Sequence, residues 1–121
     1  MVEIKRAHDK VEKGDGIRVL VDRLWPRGLK KEEIKIDLWL KEVAPSTELR
    51  KWFSHDSSRW KEFCKKYNQE LTYDEEKRKA LIELSELASR GNLTLIYGAK
   101  DEKHNNAVVL KKLIESLLKE N

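Results

Sequence analysis

Residues 21–28, VDRLWPRG, gather one acid, two arginines and a tryptophan around a proline. Arg23 and Arg27 carry planar guanidinium forks suited to two-point binding of phosphate or carboxylate. Asp22 can orient one of them or accept a proton. Pro26 restricts Trp25 to extended backbone and Gly28 permits a turn closed to other residues, so Trp25 is expected to form a rigid pocket wall that stacks on a ring. The competing reading is structural: Asp22 and an arginine form an ion pair that pins the turn, and Trp25 belongs to the core.

A second polar cluster lies at residues 97–106, YGAKDEKHNN. Gly98 lets backbone approach a ligand, and Tyr97, Lys100 and Asn105 are candidate ligand-binding residues beside it. A helix expected to start near Asn105 would aim free N–H groups and its positive dipole end at an anion. Taken singly, Asp101 or Asn105 is equally a helix cap. If chemistry follows binding, His104 or His55 would act as general acid or base, oriented by Asp22 or Asp101, because imidazole changes charge near neutral pH. His55 comes from SHDSS at 54–58, where Asp56 is an equally good cap.

These clusters matter only if the fold brings them together. VEIKRA near the start reads as a first strand. IRVLVDRL at 17–24 is a stronger one, following the turn signal KGDG, and its run Ile17, Val19, Leu20, Val21 is apolar at nearly every position, as a strand covered on both faces should be. After Gly28, LKKEEIKIDLWLKEVAP reads as a short helical turn and then an extended stretch with Ile34, Ile36, Leu38 and Leu40 alternating, although residues 35–41 also fit a helix. Pro45 stops that stretch, and Ser46 or Thr47 caps a helix carrying Leu49, Trp52 and Phe53.

Trp60, Phe63, Cys64, Tyr67 and Leu71 have the spacing of one buried helical stripe. In the next helix Thr72 and Glu75 have capping-box spacing, Ala80, Leu81, Leu84, Leu87 and Ala88 face inward, and Gly91 is a left-handed terminator. NLTLIYGAK is a strand at 93–97, and NNAVVLKKLIESLLKEN is a closing helix with Leu110, Leu113, Ile114, Leu117 and Leu118 inward.

Strands separated by long helices pair in parallel through crossovers. The expected fold is therefore α/β, a single domain over 1–121 with a small, mainly parallel sheet flanked by helices in three Rossmann-like layers. Ligands of such sheets bind outside the carboxyl ends of the strands. Both polar clusters follow strand ends, so they should converge on one edge.

Composition narrows the alternatives. The chain has 121 residues, enough to bury one core, with 39% hydrophobic and 40% charged residues, a globular balance. The net charge of +4 is a mild excess, and most Lys and Glu residues lie in runs such as DEEKRKALIELSELASR that read as solvated helix faces. One cysteine, Cys64, excludes an internal disulfide and suits a reducing compartment; its place on an apolar stripe makes it a core thiol rather than a nucleophile. The start lacks the apolar run of a signal peptide and nothing approaches a membrane span, so a cytoplasmic protein without membrane attachment is expected. His8, His55 and His104 lack metal-ligand spacing, and no nucleophile elbow, phosphate-binding loop or dinucleotide fingerprint is present, so neither metal nor cofactor is expected.

The segments RVLVDRLWPRGL, DLWLKEVAPSTELRKWFSHD, RWKEFCKKYNQEL and LTLIYGAKDEKHNNAVVLKKLI together resemble the YeaO-like family, domain of unknown function 488, over almost the whole chain. The resemblance implies an α/β domain of bacteria and archaea and carries no biochemical activity. Asp22, Arg23, Trp25, Arg27, Pro45, Ser46, His55, Asp101, His104 and Asn105 are the matching polar and turn positions. YGAKD stands where many relatives have YAARD, so Lys100 keeps the charge without the arginine fork.

Together these readings favour a small anionic ligand, phosphorylated or nucleotide-like, held by Arg23, Arg27 and Lys100. The alternative is a binding module for nucleic acid or protein that uses the basic balance and the four tryptophans. A dimer contact through the same loops has the same composition, so the oligomeric state stays open.

Overall fold

The computed structural model describes residues 1–120. Asn121, the last residue of the predicted closing helix, lies outside them. Four strands, β1 (Val2–Arg6), β2 (Ile17–Leu20), β3 (Leu38–Trp39) and β4 (Leu93–Tyr97), form one sheet in the order β1-β4-β2-β3, every pair parallel. The helices are α1 (Lys31–Ile34), α2 (Thr47–Phe53), α3 (Trp60–Tyr73), α4 (Glu75–Arg90) and α5 (Asn106–Lys119). The fold is thus α/β with an all-parallel sheet.

The central strands explain their own placement. All five residues of β4 are buried, as are Val19, Leu20 and Val21, because both faces are covered. Leu93, Leu95, Tyr97, Val19 and Val21 join one large cluster with the inner faces of α2 to α5. Leu20 and Ile96 point the other way, into a small cluster with Ala7 and Ile34, flanked by Trp25, Leu29, Ile36 and Trp39. The layer on this second face is thin, one helical turn and a loop, because only the fifteen residues between Asp22 and Leu38 are available to build it.

The amino end of the second face is polar. Arg18, 3% exposed, pairs with Asp15 at 2.6 Å and donates through Nη2 to the Ile34 carbonyl at 2.8 Å. Lys5 reaches the other Asp15 oxygen at 2.8 Å, and Thr94 Oγ1 donates to the Asp15 carbonyl at 2.7 Å. Each buried charge here has its partners, which is the condition for burying one without a large penalty.

Several boundaries differ from the sequence reading. The strand expected over 17–24 ends at Leu20: Val21 still donates its N–H to Ile96, then the chain leaves the sheet. The extended stretch shrinks to Leu38–Trp39, paired with Val19–Leu20. Ser46 caps α2 by accepting from the Leu49 N–H at 3.1 Å. Asp74, not Thr72, caps α4; Thr72 lies inside α3 with its hydroxyl on the Asn68 carbonyl. Gly91 is extended rather than left-handed, with φ 166°. Cys64 is half-buried against the core, and burial pushes its thiol pKa up. No helix among the described residues is long and apolar enough to cross a membrane.

Candidate functional site

The carboxyl ends of β2 and β4 are stitched together. Past Val21, the Asp22 carboxylate turns back and its Oδ2 accepts the Gly98 N–H at 2.8 Å. Trp39 Nε1 donates to the Asp22 carbonyl at 2.8 Å, and Asn106 Nδ2 donates to the Val21 carbonyl at 3.0 Å. Three elements therefore fix residues 21 and 22 beside the start of α5.

A cavity of about 260 Å³ opens over this junction. Its polar lining comes from Asp22, Arg23, Arg50, His55, His104 and the Asn105–Asn106 pair, and its apolar walls from Leu24, Pro45, Phe53 and Phe63. The two phenylalanine rings pack 4.5 Å apart and are largely buried, which makes that wall rigid. Two further surface hollows, beside His8 and beside Lys41, lack such a wall.

His104 is held on three sides. Its Nδ1 lies 2.9 Å from Asp101 Oδ2, its backbone N–H donates to Asp101 Oδ1 at 3.0 Å, and its ring meets the edge of Trp60 at 5.1 Å. The His104 hydrogen bond, with help from backbone N–H groups, holds the Asp101 pKa below the usual carboxylate value. An ionised carboxylate only accepts, so the proton sits on Nδ1 and Nε2 is left for another partner. His55 reaches the lining by a different route. Ser54 and His55 are consecutive non-glycine residues in the left-handed region, with φ 46° and 56°, and this turn ends α2.

Asp22 has the least comfortable environment. Burial raises its pKa, against the lowering effects of the Gly98 N–H, the Asn106 amide, Arg50 and His55 in that order. Asn105 caps α5, accepting from the Val108 N–H at 3.1 Å and donating to the Asp101 carbonyl at 2.9 Å.

Of the residues expected at the site, Asp22, Arg23, His55, His104 and Asn105 line the cavity, and Asp101 stands behind His104. Trp25 does not. It lies on the opposite face of the sheet, edge-on to Trp39 at 5.3 Å with Nε1 donating to the Leu29 carbonyl at 2.7 Å. Arg27 and Lys100 are exposed and outside the lining, and Tyr97 is 2% exposed within the large core, its hydroxyl pKa pushed up by burial. Gly28 has φ 79°, the left-handed turn expected of it, and it directly precedes Leu29, whose carbonyl accepts the Trp25 indole N–H.

Arg50, Asn106, Phe53 and Phe63 were missed by the sequence reading. Arg50 is one basic residue among several in TELRKWF, and only the docking of α2 distinguishes it. Asn106 had a signal: it adjoins the predicted cap at a strand-to-helix junction. Among the described residues no three His, Cys, Asp or Glu side chains gather as a metal site.

The fold and cavity define an α/β protein with a hollow of about 260 Å³ at the carboxyl edge of a parallel sheet. The chain belongs to the domain-of-unknown-function 488 family: residues 1–121 match the family described as "Inactive DUF488-N3 subclade". It is 43% identical over 116 residues to the uncharacterized protein YeaO of Escherichia coli (strain K12), covering 96% of this chain and 98% of that one. It is 38% identical over 113 residues to the uncharacterized proteins Rv3073c of Mycobacterium tuberculosis and Mb3100c of Mycobacterium bovis, covering 93% of this chain and 92% of theirs. No solved structure matches the chain.

Proposed function

We propose that the chain binds a small anionic molecule at the carboxyl ends of β2 and β4. The observation that carries this reading is a half-open cavity with Arg23, Arg50, His55 and His104 in its lining, next to the amino end of α5. Two guanidinium groups and the positive end of a 14-residue helix favour negative charge. His104, with Nδ1 committed to Asp101, offers Nε2 as the remaining contact.

The family's description as an inactive subclade supports binding without turnover. A nucleic-acid surface has less support. Trp25 and Trp39 pack on each other with both indole N–H groups bonded, Trp60 stacks on Phe63, and Trp52 has Arg59 and Lys66 each 5.2 Å from its ring centroid, so the aromatic rings are engaged within the fold.

Thermal unfolding across a panel of carboxylated and phosphorylated metabolites tests the reading, repeated with Arg50→Ala and His104→Ala. At least one compound should raise the parent's melting temperature saturably, and both variants should lose most of that rise. The reading fails if no anion stabilises the parent, or if both variants respond as the parent does.

A further inference from the structure

Asp22 puts a charge of the wrong sign for a simple anion into the same cavity. Among the described residues no Lys, Arg or His forms an ion pair with it. Its Oδ2 is taken by the Gly98 N–H. Arg50 and His55 act on it through charge alone, and the buried Tyr67 beside it sends its hydroxyl to the Val43 carbonyl instead. A desolvated carboxylate served by the Gly98 N–H and the Asn106 amide, with no cation bonded to it, is costly to keep. It is also an acceptor held in reserve, in a wall where the neighbouring groups attract anions.

We infer that the molecule bound here is a small acid with a hydrogen-bond donor, hydroxyl or ammonium, next to its anionic group, the anion facing Arg50 and Arg23 and the donor facing Asp22. This rests on the anion-site reading above and narrows it. The cavity volume of about 260 Å³ agrees with a compact ligand. The Phe53, Phe63 and Pro45 wall accommodates the short carbon skeleton between the two polar ends.

Calorimetric titration of the parent and Asp22→Asn with two matched series tests this. Propionate, lactate and alanine differ only in having no donor, a hydroxyl or an ammonium; ethyl phosphate, 2-hydroxyethyl phosphate and phosphoethanolamine repeat the pattern on a phosphate. In one series a donor-bearing member should bind the parent about tenfold or more tightly than the member without a donor. Asp22→Asn should erase that preference while still binding the donor-free acid, and the responding member tells hydroxyl from ammonium. Equal affinity for all members of a series that binds overturns the inference and leaves the anion site standing. Failure of every acid to bind overturns both. Should Asp22→Asn not fold, the preference within the parent alone decides.

Discussion

The Gly98 N–H and Asp22 Oδ2 are 2.8 Å apart, and a methyl built on Gly98 would stand 3.2 Å from the same oxygen. The absent side chain at 98 therefore makes room for the carboxylate at the end of β2. Gly98→Ala asks Asp22 to give by a few tenths of an ångström, while the stiffer unfolded chain offsets part of the strain, so it should change stability by under about 1 kcal/mol. Gly98→Val should cost about 1–3 kcal/mol by overfilling the junction. Urea denaturation of the two variants checks this, and equal midpoints would refute the crowding.

Asp22 and Asp101 should affect acid stability in opposite senses. Burial raises the Asp22 pKa above 3.8, with Arg50 and His55 facing it from the end of α2 and Tyr67 from α3. Its stability contribution is complete below 3.8 and is lost as pH rises through the raised value. Asp22→Asn should therefore melt above the parent at neutral pH, with the gap closing on acidification. The Asp101 pKa is depressed below 3.8 by its bond to His104, so its contribution is present above that value and lost as pH falls through the depressed one. Asp101→Asn should melt below the parent at neutral pH and converge with it in acid. Melting curves across the acid range test both signs.

Trp25 and Arg50 should separate stability from binding. Trp25 is half-buried, packs on Trp39 and bonds the Leu29 carbonyl, so Trp25→Ala should cost about 2–3 kcal/mol and leave the response to anions intact. Arg50→Ala should cost under about 1 kcal/mol and remove most of the response. Denaturation and ligand titration on the same two samples measure this, and loss of binding in Trp25→Ala at a temperature where it is folded would place Trp25 in the site.

The two left-handed glycines should differ in tolerance. Gly28 has φ 79° with open space around it, so Gly28→Ala should cost about 1–2 kcal/mol, the price of the conformation alone. At Gly16, with φ 65°, a methyl would sit 2.2 Å from the Asn92 carbonyl oxygen, backbone that is itself bonded to the Ile17 N–H at 3.0 Å. Gly16→Ala should cost about 3 kcal/mol or more and show as a collapse in soluble yield. Comparable melting temperatures for the two variants would contradict the close approach.

Much of the fold was legible because burial writes itself into local pattern. Leu93–Tyr97 and Ile17–Val21 are apolar except at Thr94 and Arg18, close to the continuous run of doubly covered strands, and the stripes of α3 and α4 repeat at helical spacing. Trp25 was harder for a physical reason. Pro26 and Gly28 announce a fixed side chain, but once the chain leaves β2 the alternation that assigns faces no longer applies. Asp74 and Thr72 both suit a helix start, and the choice rests on where α3 stops. Arg50 depends on how α2 docks, and the Ser46 contact with Glu70 that helps dock it joins segments no local window contains.

Strand order sets a constraint on the route by which the chain folds. Val2 of β1 and Ile17 of β2 both register on Leu93, and the two early strands share no ladder with each other. Until β4 is available β1 has no partner strand and β2 has only the two-residue β3 on its other edge, and closing such distant contacts is slow. The α3 and α4 helices, adjacent in sequence, can pack on each other earlier. During synthesis the apolar edge of β2, Val19 to Val21, stays open to wrong partners until residue 97 has emerged. Refolding should accordingly be rate-limited by docking of β4, and substitutions at Leu95 or Ile96 should slow folding more than equally destabilising ones in α4.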